Sequence, residues 1–464
     1  MSHTAMSSTA TTTAIELGEM EGSRSPYAMA PAGADTPLEP SAAPSLHGSD
    51  SAPGDRELAA LAPADKGAQA WLFLFGATVI ETTVWGLLNA VGVLQNYWMT
   101  ERFRGHDSTV TLAASLMNGL SFMSVGVFGP LFAAFPRHTK MIQTAGLIVS
   151  SIGLISSAFV NSPTQLIGTL GILYPCAAAL YLPAATLVYE WFHVRRGLAS
   201  GIMFAGTGVG GTVFPFILDG LLNKFGYKAA MVSLGLGFFA INAACLVFIR
   251  RRIPLAPEMG RRPSLNYRIF TTWAFWCGFI VLLLTSMGNF NPTLWIPAFA
   301  DNVGVHKPNG VAIVSIMNAA SVFGNALIGY LSDHVRTKIM CVAVCTIGAV
   351  AVLVAWGFGT SAAPLVLFAI VWGMSALCFV SLWSKIITRI CKDDPMLPML
   401  VFSVFAVLRG VGNVTSGPIS TRLLETSAFK GAAGAFGSTN FGAVLIYTAA
   451  TTFLGGAVGA FFPA

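Results

Sequence analysis

Near the middle of the chain stands Arg250-Arg-Arg-Ile-Pro-Leu-Ala-Pro-Glu-Met-Gly-Arg-Arg-Pro-Ser-Leu-Asn-Tyr-Arg268, a connection that carries six arginines. On both sides of it the sequence turns apolar in long runs. Six precede it, at about 69–96, 109–134, 139–160, 164–191, 197–222 and 228–250. Six follow, at about 269–299, 310–333, 339–359, 363–390, 396–421 and 439–462. Each is near or above the roughly 20 residues a helix needs to cross a bilayer. Apolar types make up 54% of the 464 residues, charged types only 10%, and the mean hydropathy is +0.69. Soluble domains carry roughly 25% charged residues. So few charges cannot coat a soluble protein of this size, which excludes most soluble-enzyme readings. The chain reads as an all-α polytopic membrane protein with twelve transmembrane helices. Its two six-helix halves, 69–250 and 269–464, are joined by a central loop at 251–268. Pro292 and Pro297 predict a kink toward the outer end of the seventh helix.

Charge placement orients the helices. Residues 1–68 are rich in Ser, Thr, Ala and Pro and hold nine acidic against three basic side chains. Such a segment lacks the apolar surface to offset ordering, so a disordered tail is expected. It has neither a signal-peptide pattern nor the basic character of a transit peptide. With the tail and the even-numbered connections on one side, that side holds 18 of the 26 Lys and Arg and the other holds seven. The positive-inside rule then puts both termini in the cytoplasm. The plasma membrane is the expected location, with a vacuolar or other internal membrane as the alternative. A basic membrane portion suits loops lying against anionic lipid, and no Lys/Arg run is long enough for a nucleic-acid arm.

The seven cysteines lie within or at the ends of apolar runs and read as small packing residues. Cys341 and Cys345 share a helix face but have no nearby histidine, so no metal site is expected. The helices hold no His cluster, paired acids or G-x-S-x-G elbow, and the chain has no G-x-x-x-x-G-K-[ST] loop. The sequence therefore argues against an enzyme, and no cofactor is expected.

Six plus six helices around a charged connection resemble the two halves of major facilitator transporters. The loop Gly329-Tyr-Leu-Ser-Asp333-His-Val-Arg336-Thr-Lys338 resembles that superfamily's cytoplasmic pattern of Gly, Asp and spaced basic residues. The counterpart at Gly129–Lys140 keeps the glycine and the basic end but lacks the acid. A more specific stretch is Trp191-Phe-His-Val-Arg195-Arg196-Gly-Leu-Ala-Ser-Gly201, continuing to Ala205-Gly206-Thr-Gly208-Val-Gly210. It resembles the signature of the monocarboxylate porter family. A second signature of that family survives partly, as Asp65-Lys-Gly-Ala-Gln-Ala-Trp71. Tyr181-Leu-Pro183, Glu190-Trp-Phe192 and Arg409-Gly-Val-Gly-Asn413-Val-Thr-Ser-Gly417-Pro-Ile-Ser420 look like fungal members of the family.

Candidate roles follow from residue chemistry. Arg195 and Arg196 sit at the cytoplasmic mouth. Gly201, Gly206 and Gly210 make a side-chain-poor face on which helices can approach closely and slide. With Asp333 and Arg336 they are the expected conformational and gating residues. Two charges stand deep in apolar runs, Glu81 and Arg409, and an intramembrane charge is a functional candidate by default. Arg409 is the expected counter-ion for an organic anion, because its fork pairs with both carboxylate oxygens. Glu81 is the proton-coupling candidate. Trp85, Asn89, Tyr181, Asn318, Ser321 and Asn325 are expected to line the substrate cavity, the last three on one face of the eighth helix.

The resemblance has a gap. Animal lactate and pyruvate carriers place a lysine on the first helix and an Asp/Arg pair on the eighth. Those positions fall at Asn89, Ser321 and Asn325, so the usual charge set is missing. The sequence reading is a secondary active transporter of a monocarboxylate or related organic-acid metabolite, working by alternating access, with proton coupling left open. One alternative is an exporter of a larger fungal secondary metabolite. Another class is a nutrient sensor built on the transporter fold.

Overall fold

The structure, a computed structural model, describes residues 63–253, 267–392, 397–426, 429 and 431–463. The expected disordered tail up to residue 62, and 254–266 of the central loop, lie outside the described residues. Among the described residues, eleven helices are long and apolar enough to cross a membrane. One of them, Arg196–Leu246, has 51 residues. At 1.5 Å per residue it would measure about 77 Å, more than twice the hydrocarbon thickness. It breaks at Gly226, where φ is 76° and ψ 172°, a conformation that only glycine adopts readily. The chain thus makes twelve crossings.

These are α1 (Ala68–Arg102), α2 (Ser108–Ala134), α3 (Pro136–Phe159), α4 (Pro163–Trp191), α5 (196–225) and α6 (227–246) in the first half. The second half holds α7 (Trp273–Asn302), α8 (Gly310–His334), α9 (Thr337–Trp356), α10 (Ala362–Cys391), α11 (Leu397–Leu424) and α12 (Gly442–Gly459). The face carrying the α2–α3, α4–α5, α8–α9 and α10–α11 connections is called the basic face below, and the opposite one the far face.

Four helices are interrupted in mid-span, and they correspond between the halves. α1 breaks at Ala90 and α7 at Phe290, two residues before Pro292. α4 carries a π segment at Ile167–Leu173 and a 3-10 turn at Tyr174–Cys176. α10 passes through Ser375 into a 3-10 stretch at Ala376–Leu382. Irregular backbone survives at membrane depth only where protein or a cavity covers it. The positions of these breaks therefore point to the centre of the molecule.

Side-chain hydrogen bonds knit each half. Thr83 donates to Asn242 at 2.8 Å, joining α1 to α6, and the Tyr174 hydroxyl donates to the Val84 carbonyl at 2.6 Å, joining α4 to α1. Asn291 donates to Thr448 at 2.9 Å, joining α7 to α12. Cys341 and Cys345 pack under Gly459 and Gly456 of α12, in the small-residue role expected for them.

The halves meet along two seams. In one, Gly201 of α5 lies against the Asn325 carbonyl and Gly329 of α8, and Gly208 against Asn318 and Ser321. In the other, Gly126 and Gly129 of α2 face Val407 and Ser403 of α11. Without a hydrophobic force between helices in lipid, such close backbone approach supplies the attraction through packing.

Candidate substrate cavity and gate

Between the seams lies a cavity open on one side; the empty space in and around it, about 900 Å³, includes the solvent at its mouth. Its walls come from both halves and include the segments beside all four interrupted helices. The two intramembrane charges face each other across it. Glu81, 3% exposed, accepts a hydrogen bond from Thr207 of α5 at 2.5 Å through Oε1. Its second oxygen has no hydrogen-bond partner among the described residues. Arg409 donates to Asn289 Oδ1 of α7 at 3.1 Å, and Asn289 in turn donates to the Ala376 carbonyl in the 3-10 stretch of α10. Tyr181 and Arg409 lie within electrostatic reach of the Glu81 carboxylate. Arg409 makes no ion pair among the described residues.

An aromatic chain lines the cavity and crosses from one half to the other. Phe122 packs on Trp85 with centroids 4.3 Å apart, and Trp85 meets Tyr181 edge-on at 5.2 Å. Tyr181 reaches Phe402 of α11 at 6.1 Å, and Phe402 meets Trp383 of α10 at 5.5 Å. The indole Nε1 atoms of Trp85 and Trp383 and the Asn413 Oδ1 atom are buried without partners among the described residues. A buried polar atom left unpaired costs about 1–3 kcal/mol, so this wall offers donors and an acceptor to whatever enters.

On the far face the cavity continues outward. A groove between the two halves shares Asn118, Phe290 and Asn413 with the cavity wall, and a side chain at Gly417 in this groove would meet open space. On the basic face the halves are tied. The Asp333 carboxylate of α8 accepts the backbone N–H groups of Gly197 and Leu198 at 2.8 and 2.9 Å, capping the start of α5, and pairs with Lys385 of α10 at 2.5 Å. Arg196 donates to Thr388 of α10 at 2.8 Å. The molecule is closed on the basic face and open on the far one.

A second carboxylate fixes the loop before α5. Asp65 accepts the N–H groups of His193, Val194 and Arg195 at 2.9 to 3.1 Å. Burial alone would raise its pKa, but the three backbone donors outweigh that and hold it below the ordinary 3.8. The stabilisation is complete above pH 3.8 and is lost as pH falls through the lower folded value. Acidification below that window should raise amide hydrogen exchange at 193–195 in the wild type. Asp65→Asn should show the fast exchange already at neutral pH.

All eight residues read from the sequence as substrate or proton candidates line the one cavity: Glu81, Trp85, Asn89, Tyr181, Asn318, Ser321, Asn325 and Arg409. They are not equivalent. The Asn325 amide is already engaged, accepting from Ser381 of α10 and donating to the Ser321 carbonyl, and Ser321 donates to the Asn318 carbonyl. Asn89 is exposed toward the cavity. The gating set divides too. Arg196, Gly201 and Asp333 stand at the junction of the halves, whereas Gly206 and Gly210 pack α5 onto Thr78, Thr82 and Gly86 of α1 in the same half. Arg195 and Arg336 are exposed on the basic face. Sequence reasoning missed Asn289, Asn413, Thr207 and the rings of Phe122, Phe204, Trp383 and Phe402. Asn413 carried a signal, since it lies one helical turn beyond Arg409.

Residues 74–396, well over half of the chain, match the family described as Major Facilitator Superfamily. The chain belongs to the Major Facilitator Superfamily. Similar proteins within it include several fungal transporters. The chain is 29% identical over 373 residues to the MFS transporter asaE of Aspergillus flavus, covering 79% of this chain and 82% of that one. It is 27% identical over 373 residues to the fujikurins efflux protein of Gibberella fujikuroi, covering 78% of each. It is 24% identical over 393 residues to the aspyridones efflux protein apdF of Emericella nidulans, covering 82% of this chain and 79% of that one. A solved structure, the E. coli fucose:proton symporter, shares the major facilitator fold with a TM-score of 0.61 at 12% identity, over 84% of this chain and 98% of that one. The protein is a multi-pass transporter of this superfamily. Except for Phe204 and Thr207, the stretch 191–210 that resembles the monocarboxylate porters stands outside the cavity wall, in the gate and the α5 seams.

Proposed function

We propose that this transporter exports a bulky organic acid of fungal secondary metabolism, moving the anion and a proton together. The observation that carries this reading is the lining of the cavity: the rings of Trp85, Phe122, Tyr181, Phe204, Trp383 and Phe402 surround one guanidinium and one carboxyl group. A short monocarboxylate would leave most of the aromatic wall untouched. The efflux proteins among the relatives support the same choice over the smaller substrate. The residues that resemble the monocarboxylate porters belong mainly to the moving parts, so they speak to conformational change more than to cargo.

The electrostatics give a direction to the coupling. Glu81 and Arg409 together are neutral, and each is the other's nearest compensation in a medium where a lone charge is costly. An anion seated on Arg409 takes that compensation away from Glu81. A proton on Glu81 restores it. Anion and proton therefore favour each other's binding, by the reciprocity of linked equilibria. Net movement follows their combined gradient, outward in a cell that accumulates the product. The basic face lies toward the cytoplasm in this reading, with both termini there and the plasma membrane as the site of export.

The test is transport in reconstituted vesicles, with labelled acids graded from short monocarboxylates to bulky aromatic acids, with and without a pH gradient. Bulky acids are expected to move faster and to respond to the gradient. Preference for the shortest acids would overturn the substrate class. Glu81→Gln is expected to keep anion exchange at equal pH but to lose acceleration by the gradient; an unchanged gradient response would remove Glu81 from proton coupling.

A further inference from the structure

A second cavity, separate from the substrate cavity and sharing no lining residue with it, lies on the basic face between the halves. The empty space in and around it, about 1,040 Å³, includes the solvent at its mouth. From the first half come the end of α4, the start of α5 and the segment after α6; from the second come the end of α10 and the start of α11. Among the described residues, three permanent cations line it, Arg196, Arg251 and Lys392, against one carboxylate, Glu190. That carboxylate lies within electrostatic reach of Arg251 and accepts the backbone N–H groups of Arg252 at 3.1 Å and Ile253 at 3.3 Å, so it offsets one of the three cations. Arg196 is held in place by the Phe192 and Tyr189 carbonyls, Thr388 and His193, with the Asp65 and Asp333 carboxylates within electrostatic reach. The Arg251 Nε atom is buried and has no hydrogen-bond partner among the described residues.

We propose that this cavity binds a phosphate group, and that the bound phosphate bridges the two halves on the closed basic face. Guanidinium groups suit phosphate oxygens through paired, charge-assisted hydrogen bonds, and an ammonium adds a point charge. Arg196 and Arg251 belong to the first half and Lys392 to the second, so a dianion between them contacts both and stabilises the arrangement in which they converge. Basic pockets between transmembrane helices on the cytoplasmic side are the usual seats of lipid headgroup phosphates. A soluble phosphate reaching the same mouth would find the same donors. The chemistry is shared, and experiment separates the sources.

The full chain in phosphatidylcholine nanodiscs containing about 5 mol% phosphatidylinositol 4-phosphate is examined by native mass spectrometry, and the full chain in pure phosphatidylcholine is melted against rising inorganic phosphate. One phosphoinositide per chain, retained over phosphatidylcholine, is expected. Lys392→Gln and Arg251→Gln should each weaken its retention about 10-fold, the size of a lost charge-assisted hydrogen bond. Saturable thermal stabilisation by inorganic phosphate, reduced by Lys392→Gln, would support the site with a soluble occupant. Lys392 is exposed, so its variant keeps the fold, and the melting curve without phosphate checks Arg251→Gln. No preference for the phosphoinositide together with no response to phosphate would overturn the proposal, as would binding that neither substitution weakens.

Discussion

Arg409→Gln is expected to lower transport of bulky carboxylates about 100-fold while leaving the protein folded. The guanidinium is half-buried on α11 and makes a single hydrogen bond, to Asn289, so most of its hydrogen-bonding capacity is turned to the cavity. Removing one partner of a desolvated charge pair costs roughly 3–5 kcal/mol, and 1.4 kcal/mol is a factor of ten. The loss should appear with the free acid and be much smaller with its methyl ester, which carries no charge for Arg409 to meet. Arg409→Lys keeps the charge but not the planar fork and should fall between wild type and Gln. Thermal melting separates this outcome from misfolding. Equal loss for acid and ester would show that Arg409 shapes the cavity rather than pairing with the substrate.

The second large effect concerns the seam. Gly201→Val is expected to turn the resting molecule from closed to open on the basic face. A Cβ at 201 would press on the Asn325 carbonyl and lie 3.0 Å from the Gly329 Cα, backbone atoms that cannot rotate away. Overpacking of this kind costs typically 1–3 kcal/mol. The cost falls only on the conformation that brings α5 and α8 together here. The equilibrium should therefore shift by about 5- to 150-fold. Thiol labelling reads it directly: Thr388→Cys on the basic face should become more reactive, and Leu112→Cys in the far groove less. Gly210→Val is the control, because its Cβ would strike Thr82 and Gly86 of α1 within the same half. It should lower stability without changing the labelling ratio. An unchanged ratio in Gly201→Val would mean that this seam does not report the switch.

The fold was legible because bilayer crossing imposes length and apolarity on each segment separately, with no need to know its neighbours. Even the 51-residue helix resolves in the sequence, since Gly226 stands where two runs join. The polar half of the cavity was legible for the same reason: Glu81, Arg409 and the Asn318–Asn325 stripe are expensive in lipid and need a purpose. Its aromatic half was not. Phe122, Phe204 and Phe402 sit among 33 phenylalanines, and nothing in one sequence separates a ring facing substrate from one facing lipid. The gate was half legible. Asp333 came from a loop pattern, but its partner Lys385 counted only as a positive charge near the membrane, because pairing between α8 and α10 is a fact of three dimensions.

Those rings also give the transporter a native optical signal. The aromatic chain places one indole, Trp85, in the first half and another, Trp383, in the second, with Tyr181 and Phe402 at the junction between them. Parting the halves where Tyr181 meets Phe402 must pull the chain apart at that step and let water reach both indoles. Tryptophan emission shifts to longer wavelength when water reaches the ring, so each turn of the cycle changes the protein's own fluorescence. No dye and no known substrate is required to follow it.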